Sequence, residues 1–233
     1  VYTTANEKTA YYESNQAVLT GLKTPEEAVK AIEVGISMVA DLKEKGYNVL
    51  ATGEMGIGNT TTSSAVCSVL LDQSVEKVTG KGAGLTNKDL EHKIEVIRQS
   101  IALNKVNADD PLDVLAKVGG LDIAGMAGCY IGGAALNIPV FIDGFISSVA
   151  ALIAIRLVPE CAPYLFPSHC SNEPAGRMIL DAIGKQPYIL ANMCLGEGTG
   201  AVMGFTIADY AFKAYWELPS FEQTNFGTYE ELN

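Results

Sequence analysis

Gly53-Glu54-Met55-Gly56-Ile57-Gly58-Asn59-Thr60-Thr61-Thr62-Ser63-Ser64 is the stretch on which the rest of the chain turns. The apolar run 48–52 before it reads as a strand, and 65–70 after it has helical spacing. Strand, glycine-rich turn and helix in that order aim several backbone amides at an anion, and the helix dipole adds to the attraction. A phosphate suits this arrangement best, although a tight strand-to-helix turn without a ligand has the same pattern.

Gly53, Gly58 and Thr60 fall at the glycine and hydroxyl positions of the loop G-x-x-x-x-G-K-[ST], but Asn59 stands where its lysine belongs. The charge that neutralises the terminal phosphates of a nucleoside triphosphate is therefore missing, which argues against an NTPase. Gly56-Ile57-Gly58 also lacks the third glycine of a dinucleotide fingerprint. Glu54 would repel a phosphate beside it, so it is expected to face a part of the ligand that is positive or has a proton to share.

The 233 residues, 48% hydrophobic and 18% charged, suffice for one large globular domain with or without a small appendage. No apolar run nears a membrane span and nothing at the start reads as a signal peptide, so a soluble cytoplasmic protein is expected. Cys67, Cys129, Cys161, Cys170 and Cys194 form no C-x-x-C pair and predict reduced thiols, with neither a disulfide frame nor a zinc site. A formal charge of -11 disfavours nucleic acid or an anionic membrane as partner.

Residues 1–21 lack periodicity and an initiator methionine, which reads as the middle of a longer protein, with Tyr2, Tyr11 and Tyr12 available to pack on a partner. Thr24-Pro25-Glu26-Glu27 is a capping box and predicts a helix to about Lys45. A second glycine-rich turn spans 79–84, and Thr86 caps a helix that carries His92, Lys93 and Arg98. Lys93 on such a helix is ordinarily solvated. Asp110-Pro111 starts a further helix that Gly119-Gly120 stops, and 122–136 is rich in Gly and Ala, so a helix or ligand can approach its backbone. Residues 139–142 read as a buried strand that places Asp143 at its carboxyl end, where open α/β folds hold their sites; an apolar helix follows. After a short apolar run at 164–166, His169 reads as a structural or loop histidine, and a helix is expected from about 174 to 183. Leu195-Gly196-Glu197-Gly198-Thr199-Gly200 is a third glycine turn, again carrying one glutamate, and a long helix follows it. Two carboxylates at one end of a sheet, Glu54 and Glu197, suit transfer at a sugar carbon. Two loop glutamates facing solvent are the alternative.

The segments 53–61 and 195–200 resemble the two signature segments of the nicotinate-nucleotide-dimethylbenzimidazole phosphoribosyltransferase (CobT) family. Gly119-Gly120, Ile123-Ala124, Pro139-Val140, Asp143-Gly144-Phe145, Ser168-His169, Ser171 and Glu173 match in the same order. The resemblance implies transfer of ribose 5-phosphate from nicotinate mononucleotide to 5,6-dimethylbenzimidazole, giving α-ribazole 5'-phosphate and nicotinate. It further implies Glu197 as general base and Glu54 as a second carboxylate near the reacting carbon. Gly56, Ile57, Gly58, Asn59, Thr60, Lys93 and Ser171 would hold the phosphate, Met55 and Leu195 would lie on the aromatic rings, and Asp143 and Gly196 would complete the binding set. No metal or cofactor is implied, and a homodimer is. Two departures stand out: the family's N-terminal portion precedes this chain's Val1, and Leu121-Asp122 replaces Phe-Glu. They leave open an acceptor that is another benzimidazole, a purine or a phenol, or a non-catalytic nucleotide-binding core that needs a partner.

The expected fold is α/β, with a doubly wound, mainly parallel Rossmann-like sheet and a small helical appendage. Residues 1–46 and 205–233 are assigned to the small domain, and 47–204 to the phosphoribosyltransferase core.

Overall fold

A computed structural model describes residues 24–224 apart from Ile57 and Ala83. The expectations for Tyr2, Tyr11, Tyr12 and Ile57 lie outside these described residues.

Three strands form one parallel sheet in the order β1 (Leu50–Ala51), β2 (Val140–Ile142), β3 (Leu165–Pro167). Leu50 pairs with Val140, and Phe141 with Phe166. The predicted strand at 48–52 is shorter than its apolar run, because β2 reaches back only to Pro139, which has a carbonyl for Leu50 but no N–H to return. Beyond β3, His169 bridges in parallel to Ile189, and the Asn172 amide donates to Met193 O at 2.9 Å. The chain leaving each strand, together with the segment after Ile189, thus emerges at the carboxyl end of the sheet.

Helices cover both faces. Val140 and Ile142 point into the main core, among α2 (Asn59–Leu70), α5 (Pro111–Val118), α6 (Leu121–Ala135) and α7 (Phe145–Leu157). Phe141 points the other way, into the start of α9 (Thr199–Glu217), where it stacks edge-on against Phe205 with ring centroids 5.0 Å apart. The remaining elements are α1 (Pro25–Glu44), α3 (Val75–Val78), α4 (Asn87–Asn104), a 3-10 turn (Pro159–Tyr164) and α8 (Gly176–Ala182). A parallel sheet between helical layers agrees with the α/β expectation. The capping boxes at Thr24 and Thr86 both form, as does the Asp110 cap.

The Gly/Ala-rich stretch is α6, and its small residues bring α1 close. A Cβ on Gly128 would lie 2.0 Å from Ile32 O, and one on Gly35 would lie 2.0 Å from Gly125 O. Backbone cannot yield as a side-chain tip can, so Gly128→Ala is expected to lower the unfolding free energy by roughly 3 kcal/mol, measured by urea denaturation. An unchanged midpoint would show that α1 slides aside freely.

Candidate active site

The first and third glycine turns touch. A Cβ on Gly53 would lie 2.6 Å from the Gly198 nitrogen and 2.7 Å from its Cα, and one on Gly196 would lie 3.1 Å from Glu54 Oε1. The two glutamates of these turns therefore share one cleft of about 550 Å³, lined by Gly53, Glu54, Met55, Glu197, Gly198 and Val202. The floor at β1 is fixed by a buried hydroxyl chain: Thr52 Oγ1 and Tyr130 Oη are 2.7 Å apart, and Tyr130 Oη donates to Ser147 O at 3.1 Å.

The carboxylates differ in setting. Glu54 is half-buried, and burial pushes its carboxyl above the usual range, with Asp122, Asp143 and Glu197 adding to the rise and a hydrogen bond from Asn59 Nδ2 opposing it. Glu197 is exposed to the cleft and sits in the left-handed region at φ +58°. Met55 at 84% exposure and Leu195 at 67% place bare apolar surface beside the acids, which costs free energy unless something flat and apolar covers it.

Behind Glu54 the chain enters α2 through Gly58, at φ +96°, which has no side chain to cap the helix. The second glycine turn closes over this point, since a Cβ on Gly82 would lie 2.9 Å from Thr60 Oγ1. Lys93, read from sequence as an ordinarily solvated residue, is fully buried. Its Nζ donates to Thr60 Oγ1 at 2.9 Å and to Gly80 O at 3.0 Å. Burial lowers its ammonium to about 8, with Glu173 pulling the other way. A glycine-capped helix start, a hydroxyl and a buried ammonium make a cradle for an anion.

Ser171 Oγ accepts from the Glu173 amide at 3.3 Å. Glu173 presses against Gly80, where a Cβ would lie 1.9 Å from its Oε2, an atom that is buried without a hydrogen-bond partner. Its match to the family pattern is the sequence signal that marks Glu173. Asp143 is placed differently from its sequence expectation. Its side chain is buried and both oxygens accept backbone amides, so it does not line the cleft. A carboxylate that caps a helix start has little left to offer a ligand. His169 is a buried structural histidine, as read, and burial lowers its imidazole against the pull of Asp143. Asp122, at the departure from the family pattern, starts α6 and adds negative charge near Glu54. Among the described residues no group of three or more His, Cys, Asp or Glu is arranged to hold a metal ion, and no helix is long and apolar enough to cross a membrane.

Paired acids at the carboxyl end of a parallel sheet, beside an amide, hydroxyl and lysine cradle, define the class: an α/β protein with two carboxylates next to a set of donors suited to an anion. The chain belongs to the phosphoribosyltransferase family DBI_PRT, whose sequence model matches residues 8–226. It is 54% identical over 209 residues to a nicotinate-nucleotide-dimethylbenzimidazole phosphoribosyltransferase of Ruminiclostridium cellulolyticum, covering 90% of this chain and 59% of that one. It is 51% identical over 207 residues to the protein of the same name from Acetivibrio thermocellus, covering 89% and 59%. The crystal structure of CobT from Thermus thermophilus superimposes with a TM-score of 0.83 at 33% identity, over 88% of this chain and 61% of that one. The chain thus spans about three fifths of the length of the relatives it matches.

Proposed function

We propose that this protein transfers ribose 5-phosphate from nicotinate mononucleotide to 5,6-dimethylbenzimidazole, the reaction in its relatives' names. The observation that carries the proposal is the contact of the two glycine turns, which gives Glu54 and Glu197 one cleft beside the Thr60–Lys93 cradle. The phosphate of the donor sits on Gly56 to Thr60, Lys93 and Ser171, and Met55, Leu195 and Gly196 border the rings. One benzimidazole nitrogen attacks C1', the bond from C1' to the pyridinium nitrogen breaks, and nicotinate leaves with that electron pair. Its nitrogen becomes neutral, so departure needs no acid. Glu197 takes the proton from the other benzimidazole nitrogen, and Glu54 faces the positive charge developing at C1'. Attack opposite the leaving ring turns the β linkage into α.

Residues 47–204 form the proposed core, with 1–46 and 205–233 as its appendage. A homodimer is supported by the exposed apolar side chains of α9, among them Ile207, Tyr210, Phe212 and Trp216. A cytoplasmic setting accords with the free thiols Cys67, Cys129, Cys161, Cys170 and Cys194.

The test is to incubate the protein with both substrates and assay α-ribazole phosphate and nicotinate by mass spectrometry. Both products in equal amounts support the proposal, and donor binding without product overturns catalysis by this chain. The cradle has its own signature. Lys93 is charged below about 8 and loses its proton above it, so the Kd for nicotinate mononucleotide is expected to rise about tenfold per pH unit above that point. Calorimetry from pH 7 to 9 checks this, and Lys93→Met should flatten the profile.

A further inference from the structure

The geometry points to Asp143 as the positioning residue that holds Glu197 against Glu54, an inference that rests on the transfer reaction proposed above. Gly196, Glu197 and Gly198 have φ of +77°, +58° and +79°, three left-handed residues in succession. Glycine adopts this region freely, but glutamate does so only when its surroundings impose it. Thr199 closes the turn from within, where its amide and its hydroxyl both donate to Gly196 O, at 3.1 Å and 2.7 Å.

Asp143 closes it from outside. Its Oδ2 accepts the Gly198 amide at 2.9 Å, and its Oδ1 accepts those of Gly200 at 2.8 Å and Ala201 at 3.1 Å. The carboxylate thus caps α9, whose own N-cap Gly198 has no side chain to do so. It also spans the end of the strained turn and the start of the helix. His169 backs the clamp: a Cβ on Gly200 would lie 2.0 Å from His169 Nδ1 and 2.9 Å from Asp143 Oδ1. Asp143 follows β2 directly and Ser168-His169 follow β3, so the sheet transmits its rigidity to the turn. Glu197 is then pre-set by a residue that never enters the cleft.

Asp143→Asn keeps the shape but replaces one amide acceptor with a donor. The expected result is a fall in kcat of about 10²-fold with KM for nicotinate mononucleotide nearly unchanged. In an E197Q background the same change should cost almost nothing more, because a residue that acts through Glu197 has nothing left to position. Equal losses in both backgrounds, or a loss confined to KM, would overturn the inference. Amide hydrogen exchange judges the clamp without catalysis, so it also separates failure of the clamp from failure of the transfer reading. In the unsubstituted protein Gly198, Gly200 and Ala201 should exchange far more slowly than Glu197, and in D143N they should speed up while α7 does not. Exchange of these amides at open-chain rates in the unsubstituted protein overturns the clamp even if D143N does not fold.

Discussion

Replacing Glu197 with glutamine is expected to lower the rate of ribosyl transfer by about 10²- to 10⁴-fold while donor binding survives. The substitution is close to isosteric, and glutamine adopts φ +58° at the same cost as glutamate, so the turn and its contact with Gly53 stay as they are. What disappears is the exposed carboxylate of the cleft, and with it the acceptor proposed above for the benzimidazole proton. Glu54 is a poor substitute. It is half-buried, its carboxyl is raised by that burial, and Asn59 already donates to it. Its Oε1 also lies against Gly196, where a Cβ would come within 3.1 Å, so it has little room to move. Single-turnover kinetics with a mass-spectrometric readout, paired with calorimetric titration of nicotinate mononucleotide, measures both halves of the expectation. A transfer rate equal to that of the parent would remove Glu197 from the mechanism, and a parallel loss of donor affinity would make it a binding residue instead.

What the sequence disclosed and what it hid follow from the range of the interactions concerned. The three glycine turns, the caps at Thr24, Thr86 and Asp110 and the buried run at β2 are local features, written in residues that lie within a few positions of one another. Lys93 was hidden because its burial depends on Thr60 and Gly80, which reach it only after α2, the second turn and α4 pack together. On its own helix it is one polar residue among several. Asp143 was legible as the end of a strand but not in its task, since its amide partners lie more than fifty residues further on. A signal existed all the same. A long helix that begins at glycine, with no Ser, Thr, Asp or Asn at its N-cap, has open amides that another element must satisfy. Glu173 shows the opposite limit, because nothing in a loop glutamate marks it as the neighbour of a glycine 93 positions earlier, against which it presses in the fold.

Gly53→Ala is expected to cost transfer about 10²-fold with only a small effect on stability or on donor binding. The added methyl group would lie 2.6 Å from the Gly198 nitrogen and 2.7 Å from its Cα. Both are backbone atoms, and Gly198 is also held by Asp143, so neither can rotate out of the way. Normal carbon contacts begin at about 3.5 Å, so the two turns have to part by roughly 1 Å. That displacement falls between Glu54 and Glu197, the pair whose spacing, in the reaction proposed above, has to match a sugar carbon on one side and a ring nitrogen on the other. Gly53, Met55 and Gly56 of the first turn and Leu195 and Glu197 of the third are exposed, so the fold tolerates their parting. The cradle lies beyond Gly58 and is built on α2, Lys93 and Gly80, so the proposed phosphate anchor is left in place. Gly46→Ala is the control: a Cβ there meets nothing within 4 Å and the residue is remote from the cleft, so its φ of +87° costs some stability and leaves transfer intact. Full transfer activity in Gly53→Ala, with thermal stability and donor affinity retained, would mean that the two carboxylates need not be held together and that each acts on its own substrate independently.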